Sequence, residues 1–246
     1  MSANVKLIAV IGSRGGAGTS CLAASLAKSV FDRLGRGVLV DLCHGGPGIE
    51  VLLGIETEPG ARWPQMVDAR GEIDGTGLAH ALPKWQGLPV LSVSRSEVTA
   101  PGDETVLDVV AALLRNGDTV VLDLPGSAAW TLATRALLSD ADQVLVTSPD
   151  TAVGLAGAIA TTLAVDGQRP KGPRATGDSR AMVLRCQSGS RTTSPDITDL
   201  TGWPVAMRYR DDRNLGTAIE FGAGPLTKST KRLNRAGQAL ANELLS

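Results

Sequence analysis

One stretch constrains this chain more than any other: Gly12-Ser13-Arg14-Gly15-Gly16-Ala17-Gly18, set between an apolar run at residues 5–11 and a helix-patterned segment. After the turn, Leu22, Leu26 and Val30 recur at four-residue steps beside Ala23, Ala27 and Phe31, with Leu34 closing the stripe before Gly35 and Gly37. That spacing predicts a helix with one buried face and a glycine stop. A second apolar run follows at residues 38–42. Strand, glycine turn, helix and strand in this order make a βαβ unit.

The alternation continues. Strands are predicted at 89–93, 119–124, 144–147, 182–184 and 205–207, and helices at 106–114, 130–138, 151–164, 214–221 and 229–245. The run at 119–124 is apolar throughout, as a strand buried on both faces should be. The expected fold is therefore α/β: a doubly wound, mostly parallel sheet in a three-layer α/β/α arrangement, formed by residues 1–246 as one domain. Residues 54–83 read as a mixed loop-and-helix excursion. Residues 166–180, with Arg169, Lys171, Arg174 and Arg180, read as a mobile surface loop open to DNA or acidic lipid but more simply solvated.

Composition narrows the function classes. Lysine and arginine number 24 against 25 acids, a balance that argues against a whole-surface nucleic-acid binder. Two Phe, one Tyr and four Trp are too few for a base-stacking platform. Cys21, Cys43 and Cys186 are unpaired in spacing, so neither a disulfide framework nor a CxxC zinc site is expected. With no 18-residue apolar stretch and no leader pattern, the chain reads as soluble and cytoplasmic.

A glycine turn between a buried strand and a helix N-terminus gathers backbone N–H groups around a phosphate, and Thr19 and Ser20 add hydroxyls, one of them in reach of a Mg²⁺ ion. The same turn is also built by chains that bind nothing. Cys21, in the first helical turn, reads as a small buried cysteine or as a thiol activated by the helix end. His44 and His80 have no partner pattern.

The turn resembles the deviant Walker A loop, K-G-G-x-G-K-[TS], of the MinD/ParA group of ATPases. The likeness extends to VLVDL at 38–42 with Gly48 and LLG at 52–54, to TVVLDLPG at 119–126, to ADQVLVTSP at 141–149, to LTGWPV at 200–205 and to residues 214–225. Within the group it is most similar to the CpaE/TadZ branch of Tad (Flp) pilus proteins and to actinobacterial septum-site-determining homologues. The resemblance implies a P-loop fold, ATP or ADP with Mg²⁺, a face-to-face homodimer with the glycine loops at its interface, and recruitment to a pole, septum or inner membrane face. It carries phosphate contacts onto Arg14, Gly15, Gly16, Ala17, Gly18, Thr19 and Ser20, and metal or switch roles onto Ser20, Asp41 and Asp123. CpaE relatives often carry a receiver-like domain ahead of the ATPase-like one, and none is read here.

The departures matter. Thr19 stands where the family has its phosphate-neutralising lysine, a loss of roughly 1.5–3 kcal/mol of charge-assisted contact, most of it falling on a charged transition state. Arg14 keeps a positive charge where the dimer-spanning lysine is expected, with different geometry, or else is simply solvated. Cys43 replaces the second aspartate of the first switch, and no asparagine stands near Arg185 where relatives contact adenine. These changes imply a degenerate ATPase, one that binds nucleotide or none and hydrolyses little. The expected role is localisation or scaffolding for pilus (secretion) or division-site proteins. A slow, compensated ATPase is the second reading and a DNA-partitioning protein the third. The final helix, with Leu233, Ala236, Leu240 and Leu244 on one face and Lys228, Lys231, Arg232 and Arg235 early, either packs on the sheet or lies on an anionic membrane.

Overall fold

Successive residues of the first strand, β1 (Leu7–Gly12), feed opposite sides of a sheet. Leu7, Ala9 and Ile11 enter one buried cluster, and Ile8 and Val10 enter another. A strand flanked by helices on both faces has no solvent side, so its sequence is apolar throughout. The computed structural model describes residues 5–44, 46, 48–94, 99–168, 179–187, 190 and 192–246.

The remaining strands are β2 (Val38–Asp41), β3 (Lys84–Trp85), β4 (Leu88–Leu91), β5 (Val120–Leu124), β6 (Gln143–Pro149), β7 (Arg180–Cys186) and β8 (Val205–Arg210). Their order across the sheet is β3-β4-β2-β5-β1-β6-β7-β8, parallel except for the β3–β4 hairpin at one edge. The doubly wound, mostly parallel fold expected from the sequence is the fold observed.

One face of the sheet is covered by α1 (Thr19–Leu34) and α9 (Lys231–Leu244). Leu22, Leu26, Leu233 and Leu240 pack there on Val10, Leu39 and Val121. The other face takes α3 (Gly75–Ala81), α4 (Asp103–Arg115), α5 (Leu132–Asp140), α6 (Ala152–Asp166) and α7 (Ser194–Thr201), through residues such as Val109, Leu137, Ala158 and Ile197. Two short α-helices, α2 (Ile49–Leu53) and α8 (Leu215–Glu220), and two 3-10 turns, Trp63–Met66 and Ser127–Ala129, complete the described elements.

Three elements differ from the sequence expectation. The β3–β4 hairpin turns at Gln86 (φ 49°) and Gly87 (φ 87°), a pair of left-handed residues that fold two short strands back on each other. Helix α2 is too short to show periodicity. Helix α7 lacks a long apolar stripe and instead starts on a capping box, in which the Thr193 hydroxyl accepts from Asp196 N–H while the Asp196 carboxylate accepts from Thr193 N–H at 2.8 Å. The excursion at 54–83 is anchored by Trp63, fully buried, whose Nε1 donates to the Asp41 carbonyl at 2.7 Å.

Helix α9 packs on α1. The Ser25 hydroxyl donates to the Leu233 carbonyl at 2.9 Å, and a Cβ on Gly237 would stand 2.2 Å from that hydroxyl oxygen. Its apolar face is thus used by the fold and not held free for a bilayer. No helix among the described residues is long and apolar enough to cross a membrane. Of the predicted surface loop, residues 169–178 lie outside the described residues; Arg180 pairs with Asp166 across its base at 2.6 Å.

Candidate functional site

In a parallel sheet the C-terminal ends of the strands share one edge, and loops leaving that edge form the natural crevice. Here the loops after β1, β2 and β5, the end of β7 and the middle of α6 enclose a cavity of about 800 Å³, bordered by Arg14, Thr19, Ser20, Cys43, Asp123 and Arg185. The glycine loop enters it from the centre of the sheet, because β1 lies between β5 and β6.

The loop is held from below and open above. Ser13 N–H donates to the Thr147 carbonyl at 2.9 Å, and its hydroxyl meets that of Ser148 at 3.0 Å. Helix α6 comes so close that a Cβ on Gly157 would stand 2.3 Å from the Ser13 carbonyl oxygen. Gly16 and Gly18 take left-handed backbone angles, φ 71° and 89°. A Cβ on Gly15 or Gly16 would meet nothing within 4 Å, so glycine there keeps the cradle side clear. No side chain caps α1 at Gly18, and no acid stands in its first turn. Its leading N–H groups and positive dipole end are therefore available to an anion.

The side chains are placed less favourably for turnover. Thr19 turns back toward β1: its Oγ1 lies 2.3 Å from where a Cβ on Gly12 would sit. Arg14 is exposed and its Nη1 donates to the neighbouring Gly15 carbonyl at 3.0 Å. Arg185, which the sequence pattern marked only as an absent asparagine, supplies the second cation of the cavity. Its Nη1 donates to the Gly16 carbonyl at 2.9 Å and its Nε lies 3.3 Å from Asp211. Only its position at the end of β7, beside the loop in space and far from it in sequence, reveals this.

Asp41 and Asp123 are direct partners in the β2–β5 register, and both are buried. The Asp41 carboxylate accepts from Cys43 N–H and from Ile49 N–H, each at 2.8 Å, and so fixes the turn after β2 and the start of α2. Asp123 has one oxygen, Oδ1, that is buried without a partner. Burial raises both carboxyls above the usual carboxylate range, and for Asp123 the neighbouring Asp41 charge adds to it, giving about 8; the Ser20 hydroxyl pulls the other way. The Cys43 thiol is likewise pushed up by burial and then by the two aspartates. Burial also raises the Cys21 thiol, which corrects the option of an activated cysteine at the helix start. His44, whose ring meets Trp63 edge-on at 5.8 Å, is held below its ordinary value by burial.

The donor set fits the phosphates of a nucleotide through backbone N–H groups, with Arg14 and Arg185 as the cations on the cavity wall among the described residues. A hard divalent ion would find oxygen donors in the Ser20 hydroxyl and the unpartnered Oδ1 of Asp123, with the Asp41 carboxylate beside it in the β2–β5 register.

No protein-family model matches the sequence. The uncharacterized proteins Rv3660c and MT3760 of two Mycobacterium tuberculosis strains are 33% identical over 236 residues, 95% of this chain. The chain spans 63% of the length of those relatives. Among solved structures, a ParA family ATPase from Chlorobium tepidum superposes with a TM-score of 0.75 at 17% identity, covering 94% of this chain and 98% of that one. A chain of the MinC:MinD cell division protein complex of Aquifex aeolicus gives 0.73 at 16% identity, covering 96% of each chain. The Mg-ADP complex of the septum site-determining protein MinD from Pyrococcus horikoshii gives 0.67 at 16%, covering 97% of this chain and 95% of that one. The chain has the fold shared by MinD and ParA ATPases.

Proposed function

We propose that this MinD/ParA-fold chain is a positioning or scaffold protein that holds nucleotide phosphates in its 12–20 loop and turns them over little or not at all. The observation that carries this reading is the disagreement within one cavity. The anion cradle is intact in its backbone, with Gly16 and Gly18 left-handed and α1 uncapped, while the loop lysine is Thr19 and the switch carboxylate is Cys43. Binding a phosphate group needs oriented N–H groups. Transferring it needs concentrated positive charge and a base to orient water. The first requirement is supported by the geometry and the second is not.

By analogy with the neighbours, one of them a MinC:MinD complex and another MinD with Mg-ADP, the expected working form is a homodimer that recruits a partner at a defined place in the cytoplasm. Pilus or secretion machinery of the CpaE/TadZ type and the division septum are the two proposed settings. Calorimetric titration with ATP and Mg²⁺, together with a phosphate-release assay, tests the reading. Binding without release supports it. Absence of heat at millimolar ligand, or brisk release, removes it.

A further inference from the structure

The pair Asp41 and Asp123 poses a problem of charge. Two carboxyls lie side by side on adjacent strands, each 1% exposed, and no Lys or Arg ion pair of the described residues reaches either one. A third group joins them. One ligand atom from each of Asp41, Cys43 and Asp123 lies within 4.8 Å of the others. Asp123 Oδ1 in particular is buried with no hydrogen-bond partner, although Asp123 and Cys43 both border the cavity. A buried unpaired carboxylate oxygen costs free energy unless something fills its lone pairs.

We infer that Asp41, Cys43 and Asp123 form a binding site for a zinc-class divalent cation, with the fourth coordination position open to the cavity. Three protein ligands and one open position is the arrangement of zinc sites that hold an exchangeable group. Zinc bonds sulfur at about 2.3 Å and carboxylate oxygen at about 2.0–2.2 Å, so binding draws the three ligand atoms in from a spread that is now within 4.8 Å. The N–H groups of Cys43 and Ile49 already orient the Asp41 carboxylate and leave it further lone pairs, as outer-shell donors do in metal sites. The sulfur decides the class of ion. Magnesium takes oxygen ligands in a near-ideal octahedron, whereas a thiolate beside carboxylates selects zinc or cobalt. On binding, the Cys43 thiol proton and any proton on the Asp123 carboxyl leave for solvent, and the sulfur and carboxylate lone pairs bond the metal. The site shares Asp123 with the phosphate reading but is assembled without nucleotide, so a titration in the absence of nucleotide tests it separately.

The test is a Co²⁺ titration of chelator-stripped protein, read by absorption. One equivalent should give intense visible bands of a four-coordinate site and a near-ultraviolet thiolate charge-transfer band. Stoichiometric Zn²⁺ should displace it and a hundredfold excess of Mg²⁺ should not. Cys43→Ser should lose the charge-transfer band while Cys21→Ser and Cys186→Ser keep it. Asp123→Asn, which keeps the size of this buried side chain while removing its capacity to ionise, should weaken Co²⁺ binding at least about tenfold. A spectrum without a thiolate band, a band that follows Cys186 instead of Cys43, displacement by Mg²⁺, or undiminished affinity in Asp123→Asn would each overturn the inference.

Discussion

Arg185 Nη1 lies 2.9 Å from the carbonyl oxygen of Gly16, joining the end of β7 to the glycine loop across 169 positions of chain. The contact ties a loop of left-handed glycines, which has little intrinsic order, to a rigid strand. It also brings a guanidinium to a cavity whose loop has no lysine.

Replacing Arg185 by Ala should therefore loosen residues 15–18. Hydrogen exchange at those amides should speed up, and affinity for ADP should fall several-fold because the loop must be ordered on binding. The global cost should be only about 1 kcal/mol, since the side chain is partly exposed. Unchanged exchange at those amides would show that the contact does not hold the loop.

Thr19→Lys places an ammonium where the loop lacks one. If the missing charge limits phosphate affinity, ADP binding measured by calorimetry should tighten about tenfold or more, the equivalent of roughly 1.5–3 kcal/mol. An unaltered dissociation constant would mean that Arg14 and Arg185 already neutralise the phosphates.

Gly237→Ala tests the seat of α9. The added methyl would fall 2.2 Å from Ser25 Oγ and 2.6 Å from its carbonyl oxygen. Overpacking of this kind costs about 1–3 kcal/mol, which for a chain of this size is a fall in Tm of about 2–4 °C per kcal/mol. A mutant melting with the parent would show that α9 does not rest on α1 in solution.

Asp103 governs an acid-dependent contribution. Its carboxylate accepts from Ala133 N–H at 3.0 Å, and the Thr131 hydroxyl, the larger influence, together with that N–H holds its pKa below the ordinary carboxylate value. The folded state therefore prefers the charged form. The resulting stability is present above the unfolded pKa of about 3.9 and is lost as pH falls through the lower folded value. Asp103→Asn should be less stable than the parent at pH 6 by under about 1 kcal/mol, given the exposure of the group, and the gap should close toward pH 2 in urea titrations. A gap independent of pH would assign the effect to packing.

The order of strands and helices was legible because a buried parallel strand must be apolar throughout and a covering helix must repeat near every fourth residue; β1, α1, β5 and α4 show both signals plainly. Elements held by turns and caps, such as the Gln86-Gly87 hairpin and α7, left no periodic trace. The glycine loop and the missing lysine could likewise be read from neighbouring letters, since their chemistry is local. What only the tertiary structure decided is which distant groups meet. The parallel pairing of β2 with β5 sets Asp41 beside Asp123 and Cys43, and the end of β7 sets Arg185 against Gly16. Periodicity along a chain records burial against water, residue by residue, but the register between strands depends on packing of the whole sheet, and so the charge arrangement of this cavity is a property of the fold.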